Sequence, residues 1–342
     1  MEEPSLLELE ARQRKLNEKK DLLVRLDAIV PWETFRPLLE KIYDKPRKSN
    51  AGRKPVDVIV MFKLLVLQQL YNISDEELEY QVNDRLSFMQ FLGFDLSDEV
   101  PDGTTVWLFR HKLTQQGLIE PLFEQFDAYL IEQGYAAKEG QILDATLIPV
   151  PKQHNRREEN EQIKQGEVPA SWSDEPHKQA QKDTDARWTT KGGKSYFGYK
   201  DHISIDVAHG FIRRYAVTDA SVHDSQELGQ LLDEDNDSDR VWADSAYRAE
   251  AIETTLTLMG FDSQIHERGY RNHPLTDEQK QSNRTQSKTR AKVEHVFGCW
   301  VMQMGGKLVR SIGIVRARTQ LGLKNLTYNL VRYTFLETQA VG

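Results

Sequence analysis

The chain of 342 residues has the length of one large or two ordinary domains, and its 39% hydrophobic and 29% charged residues exclude a fibrous or wholly disordered chain. The single cysteine, Cys299, excludes an internal disulfide framework and fits a reducing compartment. The net charge of −8 argues on average against nucleic acid, yet Gln264 to Tyr333 carries thirteen basic residues against four acids, while acids crowd Asp233-Glu-Asp-Asn-Asp-Ser-Asp239.

Such asymmetry is what a polyanion-binding face on an acidic body looks like; a solvated helix surface is the plainer alternative. The first thirty residues are charge-dense, so no signal peptide is expected. The most apolar run, Val56 to Leu70, is interrupted by Asp57, Lys63, Gln68 and Gln69 and is too short to span a bilayer. A cytoplasmic protein is expected.

In chain order, residues 1–30 alternate Leu with charged residues at helical spacing, and Pro31-Trp-Glu-Thr-Phe35 starts a second helix. Lys45 to Pro55 is a basic, breaker-rich loop suited to DNA phosphates or to solvent. Val56–Tyr71 reads as a buried helix. Ser74-Asp-Glu-Glu77 opens another that ends near Gly93, and Asp102 opens a further one with Trp107, Arg110 and Lys112 near its front. Roughly the first 135 residues are thus short helices joined by tight turns. That pattern fits a helix-turn-helix-like DNA-binding module, or a bundle that binds nothing.

After Gln141 the texture changes. Gln141–Val150 is a strand, followed by a polar insertion at about 152–194 that reads as a mobile loop. Tyr196–Asp206 and Phe211–Thr218 alternate as strands around an Ala208-His-Gly210 turn. Asp224–Leu232 is a helix, Arg240–Tyr247 a short strand ending at Asp244, and Arg248–Met259 a helix. A strand at Phe261–His266, a long helix at about Thr285–Met304 and a final helix near Thr319–Leu336 complete the chain. This order predicts an α/β fold: an all-α domain (1–135), then a ribonuclease H-like mixed sheet (136–342).

Asp144 stands inside the first strand among Ile142, Leu143, Ala145 and Leu147, where an unpartnered carboxylate costs several kcal/mol. A strand-end Asp bonded to a nearby N–H is one reading; a metal ligand is the other. Asp244 closes the fourth strand, and Glu294 borders the stripe Val293, Val296, Phe297, Trp300, Val301, Met304 on the late helix. In this order the first and fourth strands are neighbours with the helix over their ends, so the three acids converge, with Glu294 at the rim of the packed face. Three clustered carboxylates call for cations, and hard oxygen donors suit Mg²⁺ or Mn²⁺, two ions serving an in-line displacement by water or a DNA 3′-hydroxyl. Arg290, one turn before Glu294, is either an ion pair or a phosphate clamp. His223 and Asp224 support the site or cap a helix, and His295 is structural.

Ile142-Leu-Asp-Ala-Thr146, Phe197-Gly-Tyr-Lys-Asp-His202, Val217–Asp224, Trp242-Ala-Asp-Ser-Ala-Tyr247 and Arg290–Gly298 together resemble the blocks of bacterial insertion-sequence DDE transposases, specifically the insertion-sequence-five family. Pro101–Arg110 resembles that family's N-terminal domain. The resemblance implies cut-and-paste transposition of DNA, with Asp144, Asp244 and Glu294 as catalytic, metal-binding acids. Arg290, His223, Asp224 and Tyr247 are expected to support them. DNA contacts are expected from Trp107, Arg110, Lys112, Lys200, Arg284, Lys288, Arg290 and Lys292. It also implies double-stranded terminal inverted repeats and target DNA as partners, a homodimer or higher oligomer on paired ends, and residence on the nucleoid when DNA-bound. Ser287 and Val301 depart from the tyrosine and lysine of the wider group's pattern around the last acid. A nuclease of the same fold that cuts without joining, and a catalytically silent DNA-binding derivative, are the alternatives.

Overall fold

The computed structural model describes residues 11, 12, 14, 15, 18, 21–43, 55–172, 174–270 and 273–340; the basic loop expected at 45–55 lies almost wholly outside them. The chain divides into two compact units, one built from residues up to Ala128 and from Leu323 onward, the other from Tyr129–Gly322. No helix among the described residues is long and apolar enough to cross a membrane.

The first unit is helical: α1 (Leu22–Ile29), a 3-10 turn at Trp32–Phe35, α2 (Arg36–Glu40), α3 (Val58–Tyr71), α4 (Asp75–Asp84), α5 (Leu86–Leu92), α6 (Gly103–Gln115) and α7 (Ile119–Glu132). Side-chain caps set several starts. Asp57 accepts from the Ile59 amide at 2.8 Å, Ser74 from Glu77 at 3.1 Å and Asp102 from Thr105 at 2.6 Å. α3 is buried nearly all round, and Phe35 packs on Phe62 and Phe126 at centroid distances of 5.0 and 6.0 Å. The single helix expected from Ser74 to Gly93 is instead two. Arg85 takes an extended backbone, and its guanidinium lies 4.2 Å from the Phe88 ring and 4.9 Å from Tyr71.

The second unit holds β1 (Gln141–Pro149), α8 (Arg157–Lys164), α9 (Pro176–Ala180), β2 (Arg187–Lys191), β3 (Lys194–Asp206), β4 (Ile212–Asp219), α10 (Leu228–Leu231), β5 (Arg240–Trp242), α11 (Glu250–Leu258), β6 (Asp262–Ser263), α12 (Asp277–Met302) and the start of α13 (Ile314–Ala340). β3 pairs antiparallel with β1 from Gln141↔Asp206 to Pro149↔Gly198, and with β4 on its other flank. β5 runs parallel to β1 and β6 parallel to β5. The six-stranded sheet runs β2-β3-β1-β5-β6, with β4 paired to β3; it is the mixed, ribonuclease H-like sheet that the sequence predicts, with the strand of Asp144 beside the one that leads to Asp244. Leu143, Val241 and Ala243 pack with Leu228, Leu231 and Leu256 in one core. α12 lies against β1 and β5, burying Val293, Val296 and Trp300.

Two expectations need correction. The insertion is not a bare loop: it contains α8, α9 and β2, and its Trp172 is fully buried, donating through Nε1 to Glu159 at 2.7 Å. Polar residues mask this because the apolar anchors are few, Ile163, Trp172 and Ala186. The last helix is not wholly part of the second domain either. From Leu323 onward it belongs to the first unit, where Tyr333 meets Phe126 at 6.0 Å.

Candidate catalytic site

β1 is buried along most of its length, so a carboxylate in its middle requires partners. Asp144 Oδ1 accepts from the Ala145 amide at 2.8 Å, and Oδ2 lies 3.3 Å from Nη2 of Arg290. The same Nη2 is 3.7 Å from Oε1 of Glu294, which places those two carboxylate oxygens within about 7 Å of each other across 150 residues of sequence. Asp244 arrives from the neighbouring strand. The parallel register pairs Ile142 with Trp242, and two residues further on Asp244 turns the chain by accepting from the Ala246 amide at 2.8 Å.

Burial pushes the Asp144 carboxyl above its usual range; Arg290 and the Ala145 amide pull it down, and the charge of Asp244 pushes it up again. A carboxyl so placed favours a cation beside it, and Arg290 pairs with it. Among the described residues no three acids, histidines or cysteines close on a common metal-sized point. The three candidate acids offer only carboxylate oxygens, a donor type that suits Mg²⁺ or Mn²⁺. Glu294 departs from its expected rim position: its side chain is 70% exposed, with Arg290 at 3.7 Å. Val301, placed by the sequence on the packed stripe, is also exposed.

On β3, Lys200 Nζ donates to Asp224 at 2.8 Å and to the Val222 carbonyl at 2.6 Å. His202 is fully buried, and its ring Nε2 lies 2.9 Å from the Thr218 hydroxyl. Burial lowers its pKa to about 4, with Lys200 adding to the effect and Asp224 opposing it, so the imidazole is neutral. Tyr247 is fully buried too, and its hydroxyl has no hydrogen-bond partner among the described residues. Burial raises its pKa well above normal, and the charges of Asp224, Asp144 and Asp244 add to that. Tyr247 thus lies within electrostatic reach of Asp144, Asp244 and Asp224. His223 sits exposed on a turn, bonded to Ser225 at 2.7 Å.

The residues expected to touch DNA divide in two. Trp107 is 43% exposed and stacked on His111 at 5.0 Å, and Arg284 and Lys288 are exposed on α12. Arg110 is held inside the first unit by Asp75 and Gln68, each at 2.7 Å. Lys112 lies 5.1 Å over the Tyr43 ring, Lys292 donates to the Val207 carbonyl at 2.7 Å, and Lys200 is engaged with Asp224. Sequence reading missed His202, whose alternation with Lys200 and Ser204 on β3 was the available signal. It also missed Lys307, which donates to Thr146 at 2.6 Å.

Two family models match the chain: a transposase domain (DUF772) over residues 10–112 and a transposase DDE domain over residues 135–330. Among solved structures it is similar to a cryo-EM structure of the piggyBac transposase synaptic complex with hairpin DNA, at 11% identity and a TM-score of 0.48, over 94% of this chain and 76% of that one.

Proposed function

The chain belongs to the DDE transposase family, and from that premise we propose that Asp144, Asp244 and Glu294 are its catalytic carboxylates, holding Mg²⁺ or Mn²⁺ for DNA cleavage and strand transfer. The observation that carries this reading is the shared contact of Arg290 with Asp144 and Glu294, beside a parallel register that brings Asp244 to the neighbouring strand end. When bound, such ions activate an attacking oxygen and stabilise a leaving one. The attacking group is water for cleavage and a DNA 3′-hydroxyl for joining.

The protein's own groups define what surrounds that chemistry. Arg290 opposes the upward push that burial gives the Asp144 carboxyl, and its guanidinium fork is placed to take phosphate oxygens once cations engage the acids. Tyr247 fills the core beneath the acids and presents a hydroxyl that burial keeps protonated. The Lys200–Asp224 pair holds the turn after β4 against β3. The helical unit and the exposed basic positions of α12 bind the terminal inverted repeats, and the enzyme works as a multimer on paired ends.

DNA carrying the repeats, incubated with Mg²⁺, tests the reading. Asp144→Asn, Asp244→Asn and Glu294→Gln should each abolish cleavage and leave end binding intact; cleavage retained in one of them removes that residue from the site. Supplied with pre-cut ends, the wild type should join them to target DNA, and cutting without joining would reduce the activity to that of a nuclease.

A further inference from the structure

Beyond the three acids, the same sheet carries a second site. β2 and β3 form a hairpin whose tip is Gly192-Gly193, both at positive φ (57° and 75°). Between Arg187 and Lys200 it bears four basic residues and no acid, against the negative balance of the whole chain. Trp188 and Tyr196 are 43% and 38% exposed, and Trp188 packs on Phe197 at 5.2 Å. Where the hairpin meets β1 there is a cleft of about 360 Å³ lined by Thr146, Pro149, Lys191, Tyr196, Phe197 and Lys307, among others.

Among the described residues no carboxylate pairs with the lysines of this cleft. Lys307 is half-buried and donates to the neutral Thr146 hydroxyl, and the charge of Lys191, another cation, acts on it. No carboxylate pairs with Lys191 or Lys194 among the described residues. Thr146 is two residues from Asp144 on the same strand face, a repeat of about 7 Å. Converging ammonium groups facing aromatic walls, one pleat from an acid site, match a nucleotide: phosphate for the lysines, base for the rings.

We propose that the β2–β3 hairpin and the cleft beneath it bind an unpaired stretch of the DNA strand, with phosphate on Lys191 and Lys307 and a base against Tyr196. This rests on the transposase reading for its substrate class, but not on which residues cut.

Binding is measured by fluorescence anisotropy without divalent metal. The probes are a labelled oligothymidine and a duplex of arbitrary sequence, each about twenty nucleotides long, a span that exceeds one stacking site. Lys191→Ala and Tyr196→Ala alter exposed hairpin positions and spare the core. Each should weaken oligothymidine binding by about tenfold and change duplex binding less than about twofold, with Tyr196→Phe close to wild type. An unchanged oligothymidine affinity, an equal loss on both probes, or no wild-type binding to oligothymidine would overturn the proposal. Because no cleavage is read, a failure of Asp144, Asp244 or Glu294 as catalytic acids leaves this result standing, and the reverse holds.

Discussion

Arg110 offers the sharpest separation of a structural from a DNA-contacting role, because the sequence places it at the front of a helix while the structure ties it down. Its Nη1 and Nη2 reach the two oxygens of Asp75, both at 2.7 Å, and Nη1 also reaches Gln68 at 2.7 Å. The side chains are only 19% and 15% exposed. Removing one partner of such a pair leaves the other charge buried, at a cost of about 3–5 kcal/mol. Arg110→Ala should therefore lower unfolding free energy by about that much at pH 7 in a urea titration followed by circular dichroism. The pH dependence carries a second check. Burial pushes the Asp75 carboxyl up, but the hydrogen bonds and charge of Arg110, with Gln68, bring it net below its usual value. A depressed carboxyl contributes stability above its unfolded pKa of about 4 and loses it as pH falls through the lower folded value. The gap between wild type and variant should thus be full at pH 7 and narrow below about pH 4. A variant that unfolds like wild type but binds DNA more weakly, with a shallower salt slope, would refute the strut and restore the DNA contact.

Gly198 should tolerate no side chain: a Cβ there would lie 2.0 Å from the Ile148 carbonyl oxygen at a φ of +152°. Gly198→Ala is expected to cost about 3 kcal/mol, the upper end of overpacking, in a thermal melt, and a wild-type melting curve would show that the β1–β3 approach is looser than described. Binding to terminal repeats should fall steeply with salt through counterion release, with Arg284→Ala and Lys288→Ala each reducing the slope by about one. A flat response in equilibrium titrations would mean that the basic surface of α12 is merely solvated.

Much of the architecture was legible because local chemistry and global fold agree. Caps at Ser74 and Asp102, the Ala208–Gly210 turn and the Val293, Val296, Trp300 stripe all fall where hydrogen bonding and periodicity put them. The misses are long-range. Arg110 finds Asp75 across 35 residues, and Arg85 breaks a helix to cover two rings. β2 is a polar strand that exists because β3 extends beyond β1 to meet it. Trp172 orders an insertion that composition alone marks as loose. At the acids, the apolar neighbours along β1 and the end of the short strand before Asp244 locate Asp144 and Asp244. The spacing of Arg290 and Glu294 is legible too, but neither the exposure of Glu294 nor the reach of Arg290 to Asp144 has a sequence signature.

Cation binding tests the proposed acid site most directly. Free Mn²⁺ can be followed by electron paramagnetic resonance as it is titrated into the protein bound to uncleaved repeat DNA. The account predicts uptake by the wild type, of about two ions per site, and loss of that uptake in each of Asp144→Asn, Asp244→Asn and Glu294→Gln with DNA still bound. Uptake that is the same in all three variants as in the wild type would contradict it.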